Sequence, residues 1–249
     1  MSEPVLKSII QLMAISASVD GVISASEKRV ITDFISEQLS AEAKDAFIQL
    51  FNEYAEIALG GHIQTMNICK RINEELNQKQ KIIVLFHLLE LVNSDGDLHR
   101  EESNFIDDVA LAFHINEHEY SIIKAFVVDD DALTLGLQNI LIISNQKFDD
   151  KIKHVHREHF KSSVGILRIP SVEMYMLKYF AGETDTYLNG FLLKDRHIYT
   201  FSNGSSIRSD LIDPIYYSDV VSNFLQEQNH SRITFEASHV YYTFRGGKI

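Results

Sequence analysis

One ten-residue pattern occurs twice in this chain and constrains its architecture more than any other feature. The first copy spans residues 18–27 and the second spans residues 93–102, so corresponding positions lie 75 residues apart. Each copy reads Asp-Gly, five further residues and Glu, and each joins one helical hydrophobic pattern to the next. A duplicated unit of this kind predicts two similar helical hairpins packed in one domain.

The first half of the chain places hydrophobic residues at helical spacing in about seven segments. Ser24 and Glu27 are spaced as a capping box, in which the side chain of each residue bonds the backbone of the other. Asn77 and Asn116 precede later segments and suit the N-cap position of a helix. The stretch 82–92 is apolar on most sides, which indicates a buried central helix. These features predict an all-α bundle with an internal repeat.

The second half of the chain has a different sequence pattern, with β-branched and aromatic residues in short runs. Asn189-Gly190 is typical of a two-residue hairpin turn, Asp213-Pro214 indicates a loop, and Tyr217–Leu225 has the pattern of a short helix. The predicted fold class is α+β, with a helical domain over residues 1–128 and a small β-rich domain over residues 129–249. The predicted strands are Ile140–Ser144, Lys153–Glu158, Gly165–Ile169, Met174–Phe180, Phe191–Leu193, His197–Phe201, Arg232–Phe235 and Val240–Phe244.

Charge is distributed unevenly along the chain. Residues 1–150 contain 11 Lys/Arg and 25 Asp/Glu residues, a net charge of −14, whereas residues 151–249 contain 12 and 10, a net charge of +2. The acidic first half argues against nucleic acid as a partner, because nucleic-acid binding rests on neutralising phosphates. It suits a metal cation or a basic protein partner, although a solvated acidic surface has the same composition.

Cysteine content and the lengths of the apolar runs bear on the compartment. The single cysteine, Cys69, excludes an intramolecular disulfide and fits a reducing environment. The N-terminus lacks the basic and apolar segments of a signal peptide. The longest apolar run, residues 82–92, is too short to span a bilayer. The sequence therefore predicts a cytoplasmic protein with no direct insertion into a membrane.

The two copies of the repeat also place carboxylates where a cation can bind. Two hairpins packed face to face would bring both Asp-Gly loops together, and crowded carboxylates repel each other unless a cation neutralises them. Carboxylate oxygens suit Ca²⁺ or Mg²⁺. The spacing is not that of an EF-hand, because Gly96 lies between Asp95 and Asp97 instead of after them. The candidate metal ligands are Asp20, Glu27, Asp95, Asp97, Glu101 and Glu102.

The same acidic residues have a structural explanation as well. Asp and Glu favour the first turn of a helix because of the helix dipole, and Gly21 suits the left-handed position that follows a helix. The second repeat carries more acidic residues than capping requires. His99 stands where Ser24 stands in the first repeat, which predicts an incomplete capping box. Both interpretations stay open at this point.

Two histidine patterns raise the question of a zinc site. Residues 114–118 fit the His-x-x-Glu-His pattern of inverted zinc peptidases, but Asn116 reads as a helix start that separates the two histidines. His154, His156 and His159 form a local cluster, and on a strand His154 and His156 would share a face and could hold zinc. A basic, solvated edge strand is the competing interpretation. The sequence has no nucleophile elbow, Walker A motif or dinucleotide-binding fingerprint. We therefore expect no enzymatic activity.

The repeated Asp-Gly-x-Ile/Leu-x-x-x-Glu pattern, set between helices of an acidic region, resembles the TerB family of tellurite-resistance-associated proteins over about residues 5–127. The resemblance implies an all-helical, cytoplasmic domain that binds a divalent metal ion, with Ca²⁺, Mg²⁺ and Zn²⁺ as candidates. It also implies a non-catalytic role beside a protein partner in a membrane-linked stress-response complex. By motif position, the residues it implies for the metal are Asp20, Glu27, Asp95 and Glu102.

The last stretch, residues 232–247, resembles the opening strands of an ABC-type ATPase domain. An aromatic residue of that family stacks on adenine, and Phe244 stands at about that position. The phosphate-binding loop that would follow is not within the sequence. As an alternative function, the resemblance implies the regulatory front end of a longer ATP-binding protein with a fused downstream domain. An ordinary β-hairpin is the competing interpretation.

Overall fold

The computed structural model describes residues 2–59, 65–129, 139–148 and 152–225. Seven α-helices occupy the first two of these ranges, which we call the helical bundle, and this agrees with the seven helical segments predicted from the sequence. The helices are α1 (Glu3–Ser16), α2 (Ala25–Gln38), α3 (Ala41–Leu59), α4 (Thr65–Glu75), α5 (Gln78–Val92), α6 (Arg100–Ala112) and α7 (Glu117–Val128).

Local capping chemistry explains where several of these helices begin. Ser24 caps α2 in a complete capping box with Glu27. Asn77 caps α5 in the same way, and Asn116 accepts two backbone N–H groups at the start of α7. The predicted N-caps at these three positions are therefore confirmed. Helix α5 is buried on most of its surface and is the central helix of the bundle, as its apolar run predicted.

The last two ranges, which we call the β unit, contain two sheets and one helix, so the chain is α+β. The elements are β1 (Ile140–Ser144), β2 (Lys153–His156), β3 (Ser162–Ile169), β4 (Met174–Gly182), β5 (Tyr187–Leu188), β6 (Phe191–Leu192), β7 (Ile198–Phe201), β8 (Ser206–Ser209), β9 (Ile212–Tyr216) and α8 (Tyr217–Leu225). The larger sheet has the order β2-β1-β3-β4-β7 and the smaller one β6-β5-β8-β9. Only β1 and β2 pair in parallel; the other pairs of the β unit are antiparallel.

One local prediction was wrong. Asp213-Pro214 lies inside strand β9 and does not form a loop. Proline is tolerated there because β9 is an edge strand of the smaller sheet, so its missing N–H removes no bond to a further strand. Its partner β8 is a strand that the sequence did not predict as such. The predicted strands Arg232–Phe235 and Val240–Phe244 lie outside the described residues.

The hydrophobic core does not stop where the helices end. The face of the larger sheet that carries Ile142, Leu167 and Met176 joins the same cluster as the buried residues of α1, α5 and α7. The opposite face packs with the smaller sheet and α8 in a second cluster. The β unit is therefore packed on the helical bundle through a shared core, and the division into domains at residue 128 stays a prediction.

Candidate functional site

The first Asp-Gly loop connects α1 to α2 and is closed by its own hydrogen bonds. The Asp20 carboxylate accepts from the N–H of Val22 at 3.0 Å, and Gly21 adopts φ +89°, in the left-handed region that glycine accommodates best. At the start of α2, Oε2 of Glu27 accepts from the N–H of Ser24 at 2.7 Å. Only 5 % of Glu27 is exposed to solvent. The loop thus places a carboxylate in the protein interior.

The second loop, between α5 and α6, repeats this geometry. Asp95 accepts from the N–H of Asp97 at 3.0 Å, and Gly96 has φ +84°. Oε2 of Glu102 accepts from the N–H of His99 at 3.0 Å, and only 3 % of Glu102 is exposed. His99 gives α6 no side-chain cap hydrogen bond, whereas the bond from its N–H to Glu102 is present.

The two loops lie next to each other. Nε2 of His99 in the second loop lies 4.0 Å from Oδ2 of Asp20 in the first. Burial raises the pKa of Glu27, and the negative charges of Asp20 and Asp95 raise it further. Burial likewise raises the pKa of Glu102 to about 7, with further contributions from the charges of Glu27 and Asp20. The structure therefore brings together carboxylates that are 75 residues apart in the two repeats.

Not every predicted ligand belongs to this buried pair. Asp97 and Glu101 are exposed at the surface, as are Asp95 and Gly96 of the same loop. Glu27 and Glu102 are the buried members of the set. We refer to these two residues as the glutamate pair. Asp20 and Asp95 lie close enough to act on it electrostatically.

The glutamate pair fits a hard cation in its chemistry but does not form a preassembled metal site. Oε1 of Glu27 is buried and has no hydrogen-bond partner, whereas its Oε2 is used by the capping box. An unpaired buried carboxylate oxygen is costly, and a cation would offset that cost. Within the described residues, no three His, Cys, Asp or Glu side chains are arranged to hold a metal ion. The pair therefore offers two carboxylates, and further ligands are not in place.

A third buried carboxylate, which the sequence did not single out, joins the helical bundle to the β unit. Glu90 on α5 is 8 % exposed in its side chain, and its carboxylate meets Nδ1 of His197 at 3.0 Å and Nδ1 of His87 at 3.6 Å. The N–H of Ile198 also donates to it at 2.7 Å. Burial by itself raises the pKa of Glu90, but the hydrogen bonds from His197 and His87 outweigh it and hold the pKa at about 2. The sequence feature that could have identified Glu90 is its position as the single acidic residue within the apolar run 82–92.

Glu90, His87 and His197 line a cavity of about 330 Å³ between α2, α5 and the turn that connects β6 to β7. Asp33 and Arg29 contribute from α2, and Ser94 contributes from the second Asp-Gly loop. The hydroxyl of Ser94 is buried without a hydrogen-bond partner. The cavity thus extends from the start of the second Asp-Gly loop to the β unit.

The histidine patterns have ordinary structural roles. Asn116 caps α7 and His114 has φ +57°, so the two histidines of residues 114–118 do not share one continuous helix. His154 on β2 bonds the hydroxyl of Ser144 at 3.1 Å. Burial lowers the pKa of His154, and the charge of neighbouring His156 adds to the effect.

Three further predictions concern single positions. Cys69 is buried in the core, as predicted. His159 lies exposed beyond the end of β2. Phe244, the candidate for adenine stacking, lies outside the described residues. The possible nucleotide site therefore stays a prediction.

Part of the chain matches a known protein family. Residues 7–125 match the family model described as Tellurite resistance protein TerB. No curated protein and no solved structure matches the chain. Among the described residues, no helix is both long enough and apolar enough to cross a membrane. The matched range runs from α1 to α7 and includes both Asp-Gly loops.

Proposed function

Since residues 7–125 form a domain of the TerB family, we propose that this protein is a non-catalytic accessory or sensor module that binds a divalent cation between its two Asp-Gly loops. A protein partner or a fused downstream domain then receives the signal, in a stress-response complex linked to a membrane. The observation that supports this function best is the burial of both Glu27 and Glu102, close enough for the charge of Glu27 to raise the pKa of Glu102, with Oε1 of Glu27 unpaired.

Helix capping accounts for only part of this arrangement. Each capping interaction uses Oε2 of its glutamate, which leaves Oε1 of Glu27 without a partner. The charge of Glu27 raises the pKa of Glu102, and buried acids of this kind destabilise the fold unless a proton or a cation compensates them. A pKa of about 7 for Glu102 means that a cation at neutral pH would displace a proton from the pair.

The chemistry of the donors favours particular ions. Carboxylate oxygens without a neighbouring thiolate suit Ca²⁺ or Mg²⁺ better than they suit softer metals. Zn²⁺ remains a candidate because His99 lies at the edge of the two loops, with Nε2 4.0 Å from Asp20. When bound, the ion would neutralise the glutamate pair and hold the two hairpins together.

The proposal is tested by calorimetric titration of the protein with Ca²⁺, Mg²⁺, Mn²⁺ and Zn²⁺ at pH 6 and pH 8. We expect binding that is tighter at pH 8 and that releases protons near neutral pH. The double variant Glu27→Gln/Glu102→Gln should lose binding while it keeps its helical content. A control that neutralises two exposed carboxylates of the β unit, Glu158→Gln/Glu183→Gln, should bind like the wild type.

Two outcomes would contradict a cation site. One is the absence of binding of all four ions at millimolar concentration. The other is equal binding by the wild type and the Glu27→Gln/Glu102→Gln variant, which would place the ions elsewhere on the acidic surface. Either result would return the repeats to a purely structural role in helix capping.

The alternative function, the front end of an ABC-type ATPase, rests on residues 232–247. These lie outside the described residues, so no observation of the structure favours it, and it stays a prediction. The coding sequence downstream of residue 249 gives a direct test. A Gly-x-x-x-x-Gly-Lys-Ser/Thr motif within some tens of codons would support it.

A further inference from the structure

We propose that the guanidinium of Arg196 acts as an internal counter-cation of the second Asp-Gly loop and competes with the divalent cation. Cation binding would then release the turn formed by residues 194–197, which we call the interunit turn, from the helical bundle. This inference rests on the proposed cation site and concerns its regulation. It makes the β unit the element that responds to the ion.

The first observation is the position of Arg196 at the loop. A Cβ atom added to Gly96 would lie 3.3 Å from Nη1 of Arg196, so the guanidinium packs directly against the backbone of that glycine. Gly96 is flanked by Asp95 and Asp97. The positive charge of Arg196 therefore lies at the second Asp-Gly loop, and Asp95 of that loop also raises the pKa of Glu27 in the glutamate pair.

The second observation is that the interunit turn is fastened to both helices that adjoin the Asp-Gly loops. Nζ of Lys194 lies 3.5 Å from Oδ2 of Asp33 on α2, the helix whose first turn carries Glu27. Nδ1 of His197 lies 3.0 Å from the Glu90 carboxylate on α5, the helix that leads into the second loop. Movement of either Asp-Gly loop would therefore disturb one of the two contacts that hold the interunit turn on the helical bundle.

The third observation is the backbone of Arg196 itself. Its φ is +63°, in the left-handed region, which costs conformational energy for a residue with a Cβ. Its N–H donates to the carbonyl of Tyr179 at 3.0 Å, and the nearby Lys194 and His197 make the contacts with Asp33 and Glu90 just described. These contacts hold the residue in a conformation that an isolated turn would leave.

Two cations near one acidic loop repel each other, so a divalent ion at the glutamate pair weakens the hold of the loop on Arg196. Linkage is reciprocal, and removal of the Arg196 charge must therefore strengthen ion binding by the same factor. Coupling between two sites commonly amounts to about fivefold or more in affinity.

The test is calorimetric titration of the full chain and its variants with Mn²⁺ and with Ca²⁺. Arg196→Gln removes the charge from an exposed side chain and should tighten ion binding by about fivefold or more. Arg196→Lys keeps the charge and should bind within about twofold of the wild type. Arg208→Gln, an exposed arginine on β8, makes the same change in net charge and should leave the affinity unchanged.

Each result has one meaning. Equal or weaker binding by Arg196→Gln, with binding by the wild type, overturns the competition and leaves the cation site standing. Absence of binding by both proteins overturns the cation site and with it this inference. Binding by Arg196→Gln alone supports the competition, because the internal cation would then exclude the ion in the wild type.

Hydrogen exchange gives an independent readout. The N–H of Ile198, which donates to Glu90 at 2.7 Å, follows the interunit turn directly. We expect its exchange to become faster when the ion is added to the wild type and to stay unchanged in Glu27→Gln/Glu102→Gln. Slower exchange on ion addition would overturn the release of the turn.

Discussion

Nδ1 of His197 in the β unit lies 3.0 Å from Oε1 of the Glu90 carboxylate in the helical bundle. Glu90 is charged and buried on the central helix α5, and it is satisfied by groups from both parts of the chain. Buried carboxylates are tolerated when each of their oxygens has a partner. This contact therefore fixes how the β unit sits on the bundle.

Glu90→Gln should destabilise the protein by about 2–4 kcal/mol in the free energy of unfolding. The amide keeps one acceptor oxygen, so it cannot satisfy His87 and His197 together as the carboxylate does. Chemical denaturation followed by circular dichroism measures the loss. Glu183→Gln, which breaks an exposed pair with Lys161 at 3.5 Å, should change the same quantity by less than about 0.5 kcal/mol. Similar values for both variants would show that the Glu90 contact adds little.

The contact between Glu90 and His197 also predicts how the stability of the protein changes with pH in the acidic range. The pKa of Glu90 is held at about 2 in the folded protein, below its usual 4.5. Its contribution is therefore fully present above pH 4.5 and is lost as the pH falls towards 2. Denaturation curves recorded between pH 5 and pH 2.5 should show a shallower decline for Glu90→Gln than for the wild type. Parallel declines would contradict the depressed pKa.

Glu102 predicts the opposite dependence of stability on pH. Its pKa is raised from 4.5 to about 7 by burial, so the folded state binds more protons than the unfolded state between these values. The free energy of unfolding should therefore fall as the pH rises from about 4.5 to 7 and change little above that. Glu102→Gln should remove this fall and stabilise the ion-free protein at pH 8 by on the order of 2 kcal/mol. The amide oxygen still accepts from His99, so α6 keeps that hydrogen bond.

A thermal melt of Glu102→Gln and the wild type at pH 5 and pH 8, with chelator present, checks this prediction. Glu101→Gln is the matched control, because its side chain is exposed and one position away. The melting temperature of that control should follow the wild type at both values of pH. A lower melting temperature for Glu102→Gln at pH 8 would show that its charge stabilises the fold without an ion.

The two loop glycines provide a matched pair. Gly21 and Gly96 have φ +89° and +84°, so alanine at either position costs about 1 kcal/mol of backbone strain. A Cβ at Gly21 meets no atom within 4 Å, whereas one at Gly96 meets Nη1 of Arg196 at 3.3 Å. We expect both variants to lose similar stability, and only Gly96→Ala to speed hydrogen exchange in the interunit turn. Equal effects on the turn would contradict the contact between Arg196 and the loop.

The sequence predicted what depends on local chemistry. Ser24, Asn77 and Asn116 were identified as N-caps because a short polar side chain before a hydrophobic pattern has few other roles. The Asp-Gly and Glu motif, repeated between helices of an acidic region, resembled the TerB family, and residues 7–125 match the model of that family. Pro214 was misread as part of a loop because the edge position of a strand is a property of the whole sheet, which residue-level patterns do not contain.

The contacts between the two halves could not be predicted for the same reason. Glu90 is a single acidic residue in an apolar helix, and its partner His197 lies 107 positions later. Periodicity places Glu90 on a helix but does not show which residue of the β unit meets it. The candidate ligands were predicted as a set of six, and only packing shows that Glu27 and Glu102 are the buried two.

Lys178 gives the last prediction. This residue of β4 is fully buried, and its Nζ donates to the carbonyls of Phe126, Val127 and Asp129 at 3.2, 2.7 and 2.7 Å. These carbonyls end helix α7, where a positive charge complements the helix dipole. Lys178→Met keeps the length of the side chain but leaves the three acceptors buried, so the free energy of unfolding should fall by about 2–4 kcal/mol.

Denaturant unfolding of Lys178→Met checks this value, with Lys161→Met as the control because 63 % of the Lys161 side chain is exposed. The control should stay within about 0.5 kcal/mol of the wild type. Buried charges are sometimes replaced by apolar residues without loss, but that requires the partners to be replaced too. Here the carbonyls belong to the backbone and stay, so a neutral or stabilising Lys178→Met would contradict the role of Lys178 in fastening the β unit to α7.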